Sequence, residues 1–350
     1  MTRGPRLALP FLTKTERLLV RFIRLHALLA VLTLLAVAGC ATVGSPAQPD
    51  GGNGPGNDQF PVTIEHVFGR TTIESRPTKI ITLGVTDADA VLALGTTPIA
   101  VTGYTFYPET GLGPWAEELI HGDRPLRLQS DAEPNLEQLA ALEPDLIIGV
   151  SAGFEQDVYD RLSQIAPTIA RPAEHAAYTV PMDAATRLIV TALGRSAEGD
   201  RLIEQAEQAL SGAAADHPQF KGRTATVMLP FQGKYGAYTP TDARGRVMAQ
   251  LGFRLPERLG ALDDGKSYFI EVSPERLDLV DGDVLILLAD QPADRSFTDK
   301  DKVLQALPVV RDGRTIIPDT DTRGAMTYNS VLSIPYAVER LVPELQRVLG

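Results

Sequence analysis

Short, largely apolar runs separated by helix-length segments constrain this chain most. Ile80-Ile81, Leu146-Ile147-Ile148, Val284-Leu285-Ile286-Leu287-Leu288 and Thr315-Ile316-Ile317 are each too short for a helix and lack an alternating polar face. Such runs fit strands buried on both sides, as in parallel sheets covered by helices. The segments between them carry helix signals. Residues 87–94 form a helix closed by Gly95, and Asn135 caps residues 135–142, with Gln138 placed to complete a capping box. Asp242 opens a helix to Leu251. Ser273-Pro274-Glu275 is a further start, and residues 330–349 form a closing helix. Strands are also expected at Pro98–Val101 and at residues 224–229. Residues 61–66 and 71–73 are expected to pair as a hairpin turning at Gly69-Arg70.

The two halves echo each other. Asn135-Leu136-Glu137 leads through Pro144-Asp145 into Leu-Ile-Ile, and Ser273-Pro274-Glu275 leads through Asp281-Gly282-Asp283 into Val-Leu-Ile. Between them Asp183 caps a helical stretch reaching roughly Ala214. Gly194 and Gly199 weaken its middle, so two helices with a short break are the alternative to one rod. The expected architecture is α/β: two Rossmann-like lobes joined by a long hinge helix, with a ligand cleft between them beyond the carboxyl ends of the strands. The boundaries fall at 60–182, 183–215 and 216–350.

The first 59 residues are different. Arg3, Arg6, Lys14, Arg17, Arg21 and Arg24 against Glu16 give residues 1–39 a charge of +5, which leaves −16 on the rest of a chain whose net charge is −11. A run of apolar and small residues from 27 to 39 follows, long enough for the core of a signal peptide but short of the roughly 20 residues of a spanning helix. It ends Val37-Ala38-Gly39-Cys40, which resembles the bacterial lipobox, and Cys40 is the only cysteine. Residues 1–39 are therefore expected to be a lipoprotein signal peptide, Cys40 the lipidation site and 40–59 a flexible tether. The protein would sit at the extracytoplasmic face of the cell membrane. The acidic balance argues against nucleic acid as a partner.

Several catalytic patterns are incomplete. Gly149-Val150-Ser151-Ala152-Gly153 matches a nucleophile elbow after a strand, so a secreted serine hydrolase using Ser151 is the reading from another class. Only His175 and His217 follow it, both mid-chain, where a hydrolase needs a late histidine. The other histidines of the folded part, His66 and His121, are scattered, and Asp319 and Asp321 form no EF-hand, so no bound metal or other cofactor is expected. There is no P-loop.

The segment 134–148, the hairpin His66…Gly69-Arg70-Thr71…Pro77, Leu307–Gly313-Arg314 and Ser330–Ala337, in this order, resemble the substrate-binding proteins of bacterial iron-siderophore ABC importers. That resemblance implies a monomeric receptor without catalysis. It would capture a ferric siderophore and pass it to a membrane permease powered by a separate ATPase. Haem or cobalamin is the alternative ligand within the same fold. It further implies that Glu137 and Glu275 dock onto the permease and that lobe closure is small. The expected ligand-binding residues are Tyr104, Phe106, Tyr107, Trp115 and Ser151 in the first lobe. In the second they are Phe231, Tyr235, Tyr238, Arg244, Tyr268, Arg295, Arg323 and Tyr328. Aromatic rings would give flat contact area and arginines would hold anionic oxygens.

Overall fold

A computed structural model describes residues 58–350. The signal peptide, Cys40 and nearly all of the expected tether lie outside the described residues. Among those described, no helix is long and apolar enough to cross a membrane.

Two five-stranded sheets form the two halves. The first has the order β5-β4-β3-β6-β7, with β3 at Ile80–Thr82, β4 at Ala100–Val101, β5 at Leu126–Arg127, β6 at Leu146–Gly149 and β7 at Thr168–Ala170. All its pairings are parallel. The apolar runs fill both faces: Ile80, Leu146 and Ile148 face one core, and Ile81 and Ile147 the other. The opening hairpin, β1 (Val62–His66) with β2 (Gly69–Ile73), is a separate ribbon that places Val62, Ile64 and Ile73 on the first core. Its turn is Val67-Phe68, not Gly69-Arg70, since His66 already pairs with Gly69.

The second sheet is mixed rather than parallel. Its order is β10-β9-β8-β11-β12: β8 at Ala225–Phe231, β9 at Lys234–Tyr238, β10 at Phe269–Val272, β11 at Val284–Leu287 and β12 at Thr315–Ile316. β8, β11 and β12 run parallel, whereas β9 and β10 are antiparallel additions. The tight β8–β9 turn uses Gln232 and Gly233, both at positive φ, which suits the twist of a two-residue hairpin.

One staple explains the echo between the halves. Asp145, immediately before β6, accepts from the Thr78 N–H, the Thr78 hydroxyl and the Lys79 N–H, all at 2.8 Å. Asp283, immediately before β11, accepts from the Thr224 N–H at 2.7 Å and its hydroxyl at 2.8 Å. Each carboxylate thus fixes the start of the neighbouring strand, β3 or β8, and with it the register of the central pair. Burial acts to raise the Asp283 carboxyl, but the Thr224 bonds outweigh it and hold it below the ordinary carboxylate range.

The connecting segment is two helices, Met182–Ala192 and Ser196–Asp216. Pro181, not Asp183, occupies the N-cap of the first, and Asp183 falls in its first turn. The first helix packs through Ala185, Ile189 and Val190 on the first-half core. In the second, Leu202 still touches that core, but Ala206 and Leu210 belong to the core of the other half. Gly194 breaks the pair at φ +67°, and a Cβ there would lie 2.7 Å from the Phe60 ring. Asp58 seals the break. Its N–H donates to the Gly194 carbonyl at 3.0 Å, and its carboxylate accepts from the N–H and hydroxyl of Ser196. Asp58 was expected in the tether but is bonded into the fold, supplying the cap that the second helix lacks.

The two helices touch where Gly199 meets Val190: a Cβ on Gly199 would lie 2.2 Å from Val190 Cγ2 and 3.0 Å from its Cβ. Gly199→Ala should therefore destabilise the protein by about 1–2 kcal/mol, because overpacking outweighs the roughly 1 kcal/mol gain in helix propensity. In a Val190→Ala background the same change becomes neutral or stabilising. Urea midpoints of the four proteins check this.

A cleft between the two halves

The first wall grows from the carboxyl ends of β3 and β6. These are adjacent in the sheet, but the chain leaves them toward opposite sides, the switch point where α/β sheets open a crevice. Gly84 turns the chain there; a Cβ would sit 2.1 Å from Asp87 Oδ2. The fully buried Asp87 carboxylate accepts from the Val150 N–H at 2.8 Å, the Ser151 N–H at 3.0 Å and the Ser151 hydroxyl at 2.6 Å. Ser151 Oγ in turn accepts from the Thr86 N–H at 3.0 Å and the Thr86 hydroxyl at 2.8 Å. Its donor and both lone pairs are thereby engaged, and no histidine is among its partners. The elbow pattern is a strand-end loop.

A cavity of about 260 Å³ lies against this wall. Met182, Ala185, Thr186 and Ile189 of the first connecting helix form its back. The opposite wall comes from the second half, from residues 241–246, Tyr268 and residues 327–331. Asp242 is the N-cap of helix Ala243–Gln250 and accepts from the Arg244 N–H at 2.8 Å. The same carboxylate takes both arms of the Arg244 guanidinium at 2.8 Å, and that guanidinium lies 3.6 Å above the Tyr238 ring. Burial acts to lower the Arg244 pKa, but pairing with Asp242 prevails and raises it. Gly245 is required because a Cβ would lie 2.0 Å from the Thr239 carbonyl oxygen. Arg246 donates to the Thr241 carbonyl at 2.9 Å and has no carboxylate partner among the described residues.

The halves also touch directly beside the cavity. Asp89 is buried and accepts from Trp115 Nε1 at 2.8 Å and from the hydroxyl of Ser330 in the second half. The Tyr107 hydroxyl donates to Asp321 at 3.1 Å. The Tyr104 ring packs on Tyr328, and Trp115 meets the rings of Tyr107, Tyr328 and Tyr336 at 5.2–5.9 Å.

Of the residues expected to bind ligand, Tyr104, Ser151, Arg244, Tyr268 and Tyr328 line the cavity. Tyr107 and Trp115 sit in the adjoining contact between halves. Phe106 lies beneath Arg323, whose guanidinium is 5.0 Å from its ring and is paired with Asp290. The others lie elsewhere. Tyr235 is a core residue of β9 whose hydroxyl donates to Asp301 at 2.7 Å, and Tyr238 packs in the core on the other face of the same sheet. Phe231 is at the hairpin tip against Phe269, and Arg295 is exposed on helix Pro292–Lys300, bonded to the Ala289 carbonyl. The expectation that these aromatics occupy loops fails because Lys234–Tyr238 is a strand. Among the lining residues not anticipated are Thr86, Tyr178, Asp242, Arg246, Asn329 and Ser330. Glu137 and Glu275 are both exposed in the first turns of Leu136–Ala141 and Pro274–Leu279.

Burial pushes Asp87 and Asp89 each up from 3.8 to about 6. A carboxyl raised on folding stabilises the fold fully below its unfolded pKa, and that contribution is lost as pH rises through the folded value. Asp89→Asn keeps the acceptor for Trp115 and Ser330 but removes the titration. Relative to this variant, the wild type should lose about 2–3 kcal/mol between pH 4 and 6. Urea unfolding of both proteins across that range measures the difference.

Residues 80–321, well over half of the chain, match the periplasmic binding protein family. The chain is 27% identical over 305 residues to the Fe(3+)-citrate-binding protein YfmC of Bacillus subtilis, covering 85% of this chain and 90% of that one. The crystal structure of a periplasmic solute binding protein from Mycobacterium smegmatis superposes with a TM-score of 0.74 at 34% identity, over 83% of this chain and 99% of that one. PiaA of Streptococcus pneumoniae, solved in complex with ferrichrome, gives 0.68 at 26% identity over 82% and 98%. The match, together with two α/β halves closing on one cleft, shows that this chain belongs to the periplasmic binding protein family.

Proposed function

We propose that the protein is a lipid-anchored, extracytoplasmic receptor that captures a ferric siderophore and delivers it to an ABC importer, with no catalytic step of its own. The observation that carries this is the cavity walled by both halves and backed by the connecting helix. A ligand there is held by Tyr104 and Ser151's neighbour Thr86 on one side and by Arg244, Arg246, Tyr268 and Tyr328 on the other. The names of similar proteins, an iron-citrate binder and a ferrichrome complex, support an iron chelate as the cargo. The basic leader, apolar run and terminal Cys40 support the lipid anchor.

Glu137 and Glu275 suit permease docking: each is exposed in the first turn of a helix, at echoed positions in the two halves. Delivery and capture are then separable. Exchanging both for lysine should leave ferric-siderophore affinity within about twofold and reduce uptake by cells at least tenfold, since opposite charges at a docking rim become like charges. Uptake of ⁵⁵Fe-labelled ferrichrome beside titration of the purified variant separates the two.

Capture itself is tested by titrating the full chain, purified in detergent, with ferric siderophores, haem and cobalamin. Trp115 is the only tryptophan. Its indole N–H is held by Asp89, which also holds Ser330 across the cleft, so its emission should change when a ligand shifts the halves. Saturable binding of a ferric siderophore is expected. Saturation by haem or cobalamin alone, by fluorescence and calorimetry, would contradict this reading.

A further inference from the structure

The charge lining the cleft is smaller than its arginines suggest. Of the two guanidiniums facing the cavity, Arg244 is neutralised by both oxygens of Asp242. Arg323, the other arginine of the second half near the cleft aromatics, is spent on Asp290. Arg246 is left as the one cavity cation without a carboxylate among the described residues.

The hydroxyls of the lining point the same way. The Thr86 hydroxyl donates to Ser151 Oγ at 2.8 Å, and Ser151 donates to Asp87 at 2.6 Å. The Tyr178 hydroxyl donates to Asp131 at 2.8 Å, and the Ser330 hydroxyl donates to Asp89. The Thr86, Ser151 and Ser330 protons are committed to the buried carboxylates Asp87 and Asp89 behind the wall, and that of Tyr178 to Asp131 at the exposed rim. What Thr86 and Tyr178 present to a ligand is therefore oxygen lone pairs, which accept hydrogen bonds and repel anionic oxygens. The free donors are neutral: the Asn329 amide and the Tyr328 hydroxyl are both buried in the lining with no partner.

Resting on the siderophore reading above, we infer that the cleft selects ferric chelates of low charge, with neutral tris-hydroxamates as the fitting class, and discriminates against polyanionic catecholate or citrate chelates. A tris-hydroxamate cancels the three charges of Fe(III). Its carbonyl and amide groups match a lining with one unpaired cation, neutral amide and phenol donors, and hydroxyl acceptors. A tris-catecholate carries three net negative charges and would meet a single uncompensated guanidinium before a row of carboxylate-backed oxygens.

The test titrates the full chain in detergent with ferrichrome, ferric enterobactin and ferric citrate, read by Trp115 emission and calorimetry. Ferrichrome is expected to bind at least tenfold more tightly than either polyanion. Asp242→Asn keeps an N-cap residue for helix Ala243–Gln250 while releasing Arg244. It should shift the enterobactin-to-ferrichrome affinity ratio at least tenfold toward enterobactin. Equal or tighter binding of ferric enterobactin or ferric citrate by the wild type would overturn the charge selection and leave the receptor reading standing. An unchanged ratio in Asp242→Asn would also overturn it. Binding of none of the three would remove the receptor reading itself, and the inference with it.

Discussion

Everything about the cleft depends on one helix that is buried in two cores. Ser196–Asp216 gives Leu202 to the first half and Ala206 and Leu210 to the second, within a little over two turns. A helix anchored this way is a strut rather than a tether, since swinging one half freely would pull an apolar face out of its core. The break before it is equally constrained. A Cβ at Gly194 would meet Phe60, and Asp58 satisfies one of the orphan N–H groups that a helix start leaves open, that of Ser196. Beside the cavity the halves are held together by the Asp89–Ser330 and Tyr107–Asp321 hydrogen bonds and by Trp115, which packs on clusters of both halves.

The sheets were legible where both faces are buried. Ile80-Ile81 and Leu146-Ile147-Ile148 have no polar alternation because each neighbour faces a different apolar cluster. The echo of Asp145 and Asp283 was visible as a pattern, but its cause is tertiary: each carboxylate reaches a strand start about sixty residues earlier in the chain. The antiparallel strand β9 was hidden for the opposite reason. Lys234-Tyr235-Gly236-Ala237-Tyr238 carries a central glycine, which interrupts the strand signal of its two tyrosines. Its β-character comes from pairing on both sides and from Tyr235 and Tyr238 filling cores on opposite faces.

The site was legible by place more than by chemistry. Tyr104, Arg244 and Tyr328 reach the cavity, and the loops after β3 and β6 form a wall because the switch point of an α/β sheet lies there. In the sequence Asp242 marks a helix start and Arg244 is a candidate for holding anionic oxygens. The structure makes them one bidentate pair, so the cap consumes the charge. Arg323 is paired with Asp290, 33 residues away, and the Thr86–Ser151–Asp87 chain spans 65. No local pattern reveals partners at such distances.

Family membership and ligand choice therefore reside at different levels of the structure. The fold shared with the iron-citrate binder of Bacillus subtilis and with PiaA needs buried strands, a doubly anchored helix and a switch point, all set by apolar residues and glycines. Charge selection needs only a few polar pairs on that frame. Moving one carboxylate beside one arginine changes the net charge that a ligand meets by a full unit without disturbing a core. This is how 27% identity can preserve the clamp while saying little about the charge of what it holds. In this chain, Asp242 beside Arg244 and the carboxylates behind Ser151, Tyr178 and Ser330 set that charge low.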